Sequence, residues 1–432
     1  MMMYNNKSFL FVGMVTVVAL LSTSTAAPEN ASKRKLRKSK SSTKERSKLN
    51  KKTKPTRVTA SPTTKSPSSN PTPLPTSSPT ETPKGLRVIT NVNVFGDSLS
   101  DTGNANQYFP CTATYCPPRS SNGPLVVELF SDALGLGPLV AATKPDDTNN
   151  PALPIPNSDL HNVNTNWAFA SAAAYTEQTR LFKNDFAFQL ELYKAYLEAK
   201  QGTTTTTTPS IEATTLQIVS FGANDVSQAL ETPTPGDFIN SSVLALITNI
   251  QTLADMGACS FLVVGPGDMS LIPVIGASLP PVQAEAFAFF SGLLSQTLEL
   301  ALKQISISNT DSKCFGVQYF DLFTIMNEID DTEEFQNEFP NPLAYCNSQF
   351  LVPCDQCNAV LDKIPGFPSL PDTGGCFCLV PVTSEDDIQL NCPGIPFFDE
   401  YHPNIALNEL FTQRLFADLG VVVDDSDSDS GS

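Results

Sequence analysis

Residues 86–104 read LRVITNVNVFGDSLSDTGN. The first ten, Leu86 to Phe95, form a run of apolar and β-branched residues suited to a strand, and Gly96-Asp97-Ser98 follows as a turn. A serine placed where a strand gives way to a turn can present its hydroxyl above a sheet. Small neighbours then leave room for a carbonyl group to approach. The fold depends on whether the rest of the chain supplies more such strands, with helices between them.

It does. Thr215–Phe221 (TLQIVSF) is a second short β-rich run, ending in Gly-Ala-Asn-Asp. Ser260–Val264 (SFLVV) and Phe315–Phe320 read as buried strands. Helical periodicity covers Gly123–Leu134, Phe182–Lys200, Phe238–Met256, Val282–Ile305 and Pro403–Leu419. Strands alternating with long helices predict an α/β fold with a mostly parallel sheet covered on both faces. Active groups of such sheets gather beyond the carboxyl ends of the strands. Gly-Asp-Ser and Gly-Ala-Asn-Asp both fall there.

The 432 residues are 41% hydrophobic, enough for a large core, but their charge is unevenly placed. Residues 1–26 read as a secretory signal, with Lys7 before the apolar run Phe9–Leu21 and Ser24-Thr25-Ala26 as the cleavage site. No later segment is apolar enough to span a bilayer. Residues 27–85 are first basic, then rich in Ser, Thr and Pro, and are expected to be disordered. From Lys33 to Arg87 there are 16 basic residues against two acidic ones; beyond Arg87 there are 10 basic against 41 acidic, a net of -31. A basic arm, residues 33–57, is thus tethered to an acidic globule (86–423), with an acidic disordered tail at 424–432. The arm suits an anionic surface. The acidic globule speaks against nucleic acid as a partner.

Only two histidines are present, His161 and His402. Serine hydroxyl is a poor nucleophile until a base takes its proton. His402 lies in FFDEYHPN, and Asp399 three residues earlier suits its Nδ1–H, leaving Nε2 for Ser98. His161 sits in a polar loop without such a context. Candidate donors to a developing oxyanion are the backbone N–H of Ser98, the backbone N–H of Gly123 and the side chain of Asn224. Two Asp-Thr-Gly triplets, Asp101-Thr102-Gly103 and Asp372-Thr373-Gly374, mimic an aspartic protease. Neither has the strand before it or the Ser/Thr after it that such a site needs.

Ten cysteines in a chain with a secretory signal favour disulfides. Cys111 and Cys116 are expected to pair locally, and Cys259 can pair with Cys314 across the sheet edge. Six more crowd a Cys-rich insertion at about 346–392. Cys354-x-x-Cys357 with Cys376-x-Cys378 is a poor zinc set, the second spacing being cramped. No metal or cofactor is expected. Asn240-Ser241-Ser242 is an N-glycosylation acceptor.

Five stretches together resemble the GDSL subgroup of SGNH hydrolases, especially fungal and plant lipase-like esterases and acetylesterases. They are FGDSLSDTGN (95–104), RSSNGPLVVEL (119–129), NWAFASAAA (166–174), FGAND (221–225) and FFDEYHPN (397–404). The resemblance implies a three-layer α/β/α sandwich of flavodoxin-like type and ester hydrolysis through an acyl-enzyme. It also implies Ser98 as nucleophile, Asp399 and His402 as its partners, and Ser98, Gly123 and Asn224 as oxyanion donors. Ala170-Ser171 stands where relatives carry glycines or Gly-Ala. The expected substrates are short-chain acyl or O-acetyl carbohydrate esters, with a longer-chain lipase or a non-catalytic surface-binding protein as alternatives.

Overall fold

The computed structural model describes residues 4–5, 89–105, 119–145, 154–157, 159–160, 163–176, 184–201, 209–305, 314–347, 351–353, 376–379 and 393–420. The rest of residues 1–26, the basic arm, the acidic tail, His161, Cys111, Cys116, Cys354, Cys357 and the second Asp-Thr-Gly triplet lie outside these residues.

Six strands form the central sheet: β1 (Asn91–Gly96), β2 (Leu139–Ala141), β3 (Asn164–Asn166), β4 (Thr215–Ser220), β5 (Ser260–Val264) and β6 (Gly316–Phe320). Their spatial order is β2-β3-β1-β4-β5-β6, and every pairing is parallel. The chain builds to one side of β1 first, then crosses it and builds to the other. β1 is therefore where the strand order reverses, the position at which open α/β sheets place their ligands.

Side-chain alternation sorts the two faces. Val92 and Val94 of β1, Leu216 and Ile218 of β4 and Leu262 of β5 join one apolar cluster. Helices α1 (Val126–Ala133), α6 (Leu322–Asp330) and α7 (Ile405–Asp418) cover it. Phe95, Val219, Phe261 and Val263 join the other cluster, under α2 (Phe186–Gln201), α3 (Ala223–Ala229), α4 (Pro235–Asp255) and α5 (Pro281–Leu302). This is the three-layer α/β/α arrangement expected from the alternating pattern.

The long helices begin within a few residues of the apolar periodicity. α4 and α5 each begin with a proline in the first turn, where its missing N–H costs nothing. β2, Leu-Val-Ala, is too short to stand out in the sequence, and β3 leaves no apolar signature. All three residues of β3, Asn-Thr-Asn, are buried, and side-chain bonds compensate for their polarity. Asn164 accepts from Val92 N (2.9 Å) and donates to Leu136 O (2.7 Å). Thr165 donates to Asn93 Oδ1 (2.6 Å), and Trp167 Nε1 donates to Thr165 (2.9 Å).

Two more strands, β7 (Tyr345–Asn347) and β8 (Phe397–Asp399), pair in parallel with Asn347 opposite Asp399. They join the two ends of the Cys-rich insertion. Within the insertion, Leu351–Pro353 and Cys376–Leu379 pair as antiparallel strands. Cys259 and Cys314 are disulfide-bonded, Cα–Cα 5.2 Å, just before the adjacent strands β5 and β6. Among the described residues no helix is long and apolar enough to cross a membrane.

The disulfide closes a 55-residue separation. Loop-closure entropy for that length predicts that a Cys259→Ala/Cys314→Ala double variant loses about 2–4 kcal/mol. Urea unfolding checks this. An unchanged midpoint would contradict it.

Candidate active site

Gly96 ends β1 in a space that admits no side chain. A Cβ there would stand 2.6 Å from Ser220 O of the neighbouring strand and 3.0 Å from Ser100 Cβ. The buried Gln189 of α2 clamps the same peptide, accepting from Gly96 N (3.0 Å) and donating to Gly96 O (2.8 Å). Phe169 N also donates to Gly96 O (3.1 Å). The turn follows at once: Leu99 N donates to Asp97 Oδ1 (3.0 Å) and Ser100 N to Asp97 O (3.1 Å). Ser98 stands at its head.

Asp101 closes the loop. Its two oxygens accept four backbone N–H groups, from Gly103, Asn104, Ala105 and Ala170, at 2.7–3.0 Å. A carboxylate so occupied is a structural brace and has no free face for protease chemistry. Asn104 extends the brace, donating to Asn166 O and Ala168 O and accepting from Thr143 N and Oγ1. Next to Ala170, Ser171 is the one non-glycine among the described residues with positive φ, 65°. The left-handed conformation costs such a residue about 1–2 kcal/mol.

The last strand and helix bring the imidazole to Ser98. Ser98 Oγ lies 2.9 Å from His402 Nε2. Nδ1 of the same ring lies 2.8 and 2.9 Å from the two oxygens of Asp399. A proton on Nδ1 donates to Asp399 and leaves Nε2 to accept from the serine hydroxyl, so one tautomer satisfies both ends. Asp399 Oδ1 is fixed in turn by the N–H groups of Tyr401 (2.8 Å) and His402 (2.9 Å). Phe398 N donates to His402 O (2.8 Å), which closes the turn. Asn404 caps α7 by accepting from Leu407 N (2.9 Å).

Asn224 opens α3 after β4 and is buried. It donates one Nδ2 hydrogen to Ala172 O (2.7 Å), which fixes the amide plane and leaves the other hydrogen for a ligand. Gly123 packs against the first residue of α7: a Cβ would come within 2.6–2.9 Å of the Ile405 side chain. Ile405 N donates to Asn122 Oδ1 (2.8 Å), and Asn408 donates to Pro124 O (3.1 Å) and Ser121 Oγ (3.3 Å). The Gly123 N–H faces Ser121 Oγ at a long 3.4 Å. Asn240 is exposed on α4.

Charge in the site is buried. Burial, reinforced by Asp225, raises the Asp97 carboxyl to about 7, against smaller opposing effects from Leu99 N–H and His402. Burial also raises Asp225, which accepts from Ala174 N (2.9 Å) and Tyr175 N (3.2 Å). For His402, burial works against the charged ring. The Asp399 charge and hydrogen bond, with Asp97 behind them, more than offset it, and the imidazole stands above its ordinary value. Sequence reading missed Gln189, Asp97 and Asp225. Gln189 sits amid helical residues with no motif to mark it, and Asp225 and Asp97 were read only as parts of the FGAND and Gly-Asp-Ser stretches.

A parallel sheet covered on both faces, with a serine, a histidine and an aspartate in hydrogen-bond series at its switch point, is consistent with the flavodoxin-like hydrolase fold expected from the sequence. Residues 92–415 match the GDSL-like Lipase/Acylhydrolase family, and the chain belongs to that family. A GDSL esterase/lipase of Arabidopsis thaliana is 23% identical over 236 residues, 48% of this chain and 62% of that protein. The match thus spans less than two thirds of the relative's own length. Among solved structures, LAE5, an alpha/beta hydrolase enzyme from the metagenome of Lake Arreo, Spain, aligns over 77% of this chain and 95% of its own. Its TM-score is 0.34 and its identity 11%.

A carboxyl raised from 3.8 to about 7 binds its proton more tightly in the folded than in the unfolded chain. Its stabilising effect is complete below pH 3.8 and is lost as pH rises through 7. Asp97→Asn, which keeps an acceptor for Leu99 N–H, should therefore gain thermal stability relative to wild type as pH rises from 4 to 8. A difference in Tm that does not vary with pH would contradict the assignment.

Proposed function

We propose that the chain is a secreted serine esterase of the lipase-like esterase and acetylesterase kind, acting on short-chain acyl or O-acetyl carbohydrate esters. The observation that carries the proposal is the 2.9 Å contact of Ser98 Oγ with His402 Nε2, continued by Nδ1 to Asp399. His402 takes the hydroxyl proton as Ser98 attacks the ester carbonyl, and the C–O bond to the alcohol breaks as His402 returns the proton to it. Water, deprotonated by the same ring, then releases the acyl group from Ser98. Ser98 N–H, Gly123 N–H and the second Asn224 hydrogen are the proposed donors to the oxyanion. Gly123 N–H makes only a long 3.4 Å contact with Ser121 Oγ, which leaves it available to the substrate. The short-chain preference rests on the sequence, in which no lipid-binding helix or large apolar lid is evident.

Hydrolysis of p-nitrophenyl esters from acetate to palmitate tests both parts. Ser98→Ala and His402→Ala should lose activity while His161→Ala keeps it, and Asn224→Ala should lower kcat by about 10²–10³-fold. Full activity in Ser98→Ala would sink the reading. A maximum at palmitate would make the protein a lipase.

Because His402 serves as base only when neutral, kcat/KM should rise with pH through a midpoint above the ordinary histidine value of about 6.5. Asp399→Asn removes the largest raising influence. Its residual activity, about 10⁴-fold lower, should show a midpoint moved downward.

Secretion, a glycan on the exposed Asn240 and attachment of residues 33–57 to an anionic surface belong to the same proposal. Retention on an anionic matrix should fall with added salt, and should be lost on deleting residues 27–85.

A further inference from the structure

A cavity of about 430 Å³ lies apart from the Ser98 site, and none of Ser98, Gly123, Asn224 and His402 lines it. The volume is within the range of small-molecule sites. It sits among the segments after β5, α5, the end of α6, the segment before β7, and α7. Its wall includes Leu279, Met326, Phe335, Leu343, Phe397 and Phe411. These give it the character of a site for hydrocarbon.

The charge on its wall has one sign. Glu285 and Asp330 are the charged groups of the wall. Glu285 is exposed on α5, and Asp330 is half-buried, its carboxyl raised by burial and by Asp331 and Asp268. Beside the wall residues Ile329 and Phe335 stand the exposed carboxylates Glu328, Asp331, Glu333, Glu334 and Glu338. No lysine or arginine occurs between Val264 and Leu302, or between Cys314 and Asn347. The salt bridges among the described residues engage none of these acids. An apolar chamber with a carboxylate border receives a chain whose polar end is a cation and disfavours one that ends in a carboxylate.

We propose that this cavity is an accessory site for a single-chain amphiphile with a cationic head, the alkyl chain lying against Phe397 and Leu343 and the head beside Glu285 and Asp330. The site is independent of ester hydrolysis at Ser98. Its wall nevertheless meets that site through the backbone, since Phe397 lies two residues before Asp399 in β8.

Titration calorimetry of the whole protein at low ionic strength tests it, with decyltrimethylammonium, 1-decanol and decanoate below their micelle concentrations. Decyltrimethylammonium should bind at least tenfold more tightly than decanoate, with 1-decanol between them and the difference shrinking in salt. From hexyl to decyl each methylene should tighten binding by up to about fourfold. Ala288→Trp and Leu343→Trp, on separate segments of the wall, should each weaken binding at least tenfold. Glu285→Gln/Asp330→Asn, a change at the border that spares the apolar wall, should abolish the preference for the cation. Ser98→Ala should bind as wild type, so a failure of the esterase reading leaves this result unaffected. No binding of decyltrimethylammonium, equal binding of decanoate, or undiminished binding in folded tryptophan variants would each overturn the proposal.

Discussion

The backbone at Gly96 is held from three directions, and the position of Ser98 depends on it. Ser220 O of β4 presses where a side chain would be, Gln189 of α2 holds both polar groups of the peptide, and Phe169 N adds a bond from beyond β3. A strand that ran on past Gly96 would carry the serine along the sheet. The chain turns instead, because Asp97 accepts from Leu99 N–H and Asp101 gathers four amides. The Gln189 amide and both oxygens of Asp101 thus act on backbone, where the alternative is unpaired backbone groups inside a dry interior. Leaving one such group unpaired costs about 1–3 kcal/mol.

What the sequence makes legible follows from the size of the physical signal. β4, β5 and β6 are short runs rich in β-branched and aromatic residues, and the long helices carry their apolar residues at helical spacing, so both types are visible without context. β3 is invisible for the opposite reason: its residues are polar, and their burial is stabilised by partners such as Val92 N, Asn93 and Leu136 O, which lie 28 to 72 positions away. Ser98, Asp399 and His402 are legible because a nucleophile needs a base and only two histidines exist. Gln189 is not, since a glutamine inside an amphipathic helix looks like any solvent-facing residue until the strand it clamps is placed beside it. Asp101-Thr102-Gly103 shows the converse, a motif that invites a catalytic reading while its aspartate is wholly engaged in bracing.

Two loops carry the remaining constraint. The segment Ser121–Pro124 and the start of α7 are joined by Ile405 N to Asn122, by Asn408 to Ser121 and Pro124, and by the close fit of Gly123 on Ile405. Ile405 is three residues beyond His402, and Asn404 caps the helix between them. Gly123 therefore cannot shift appreciably without moving the imidazole. The Asn224 amide is tied in the same way to Ala172, on the turn that Ala170 fastens to Asp101. Each proposed oxyanion donor is thus linked mechanically to a residue of the Ser98–His402–Asp399 series. Such preorganisation matters because donors that must be gathered at the moment of reaction lose much of their effect. It also explains the strained Ser171. The turn that holds Asn224 to Asp101 requires a left-handed residue there, and the bonds made on either side outweigh the cost of giving that residue a Cβ.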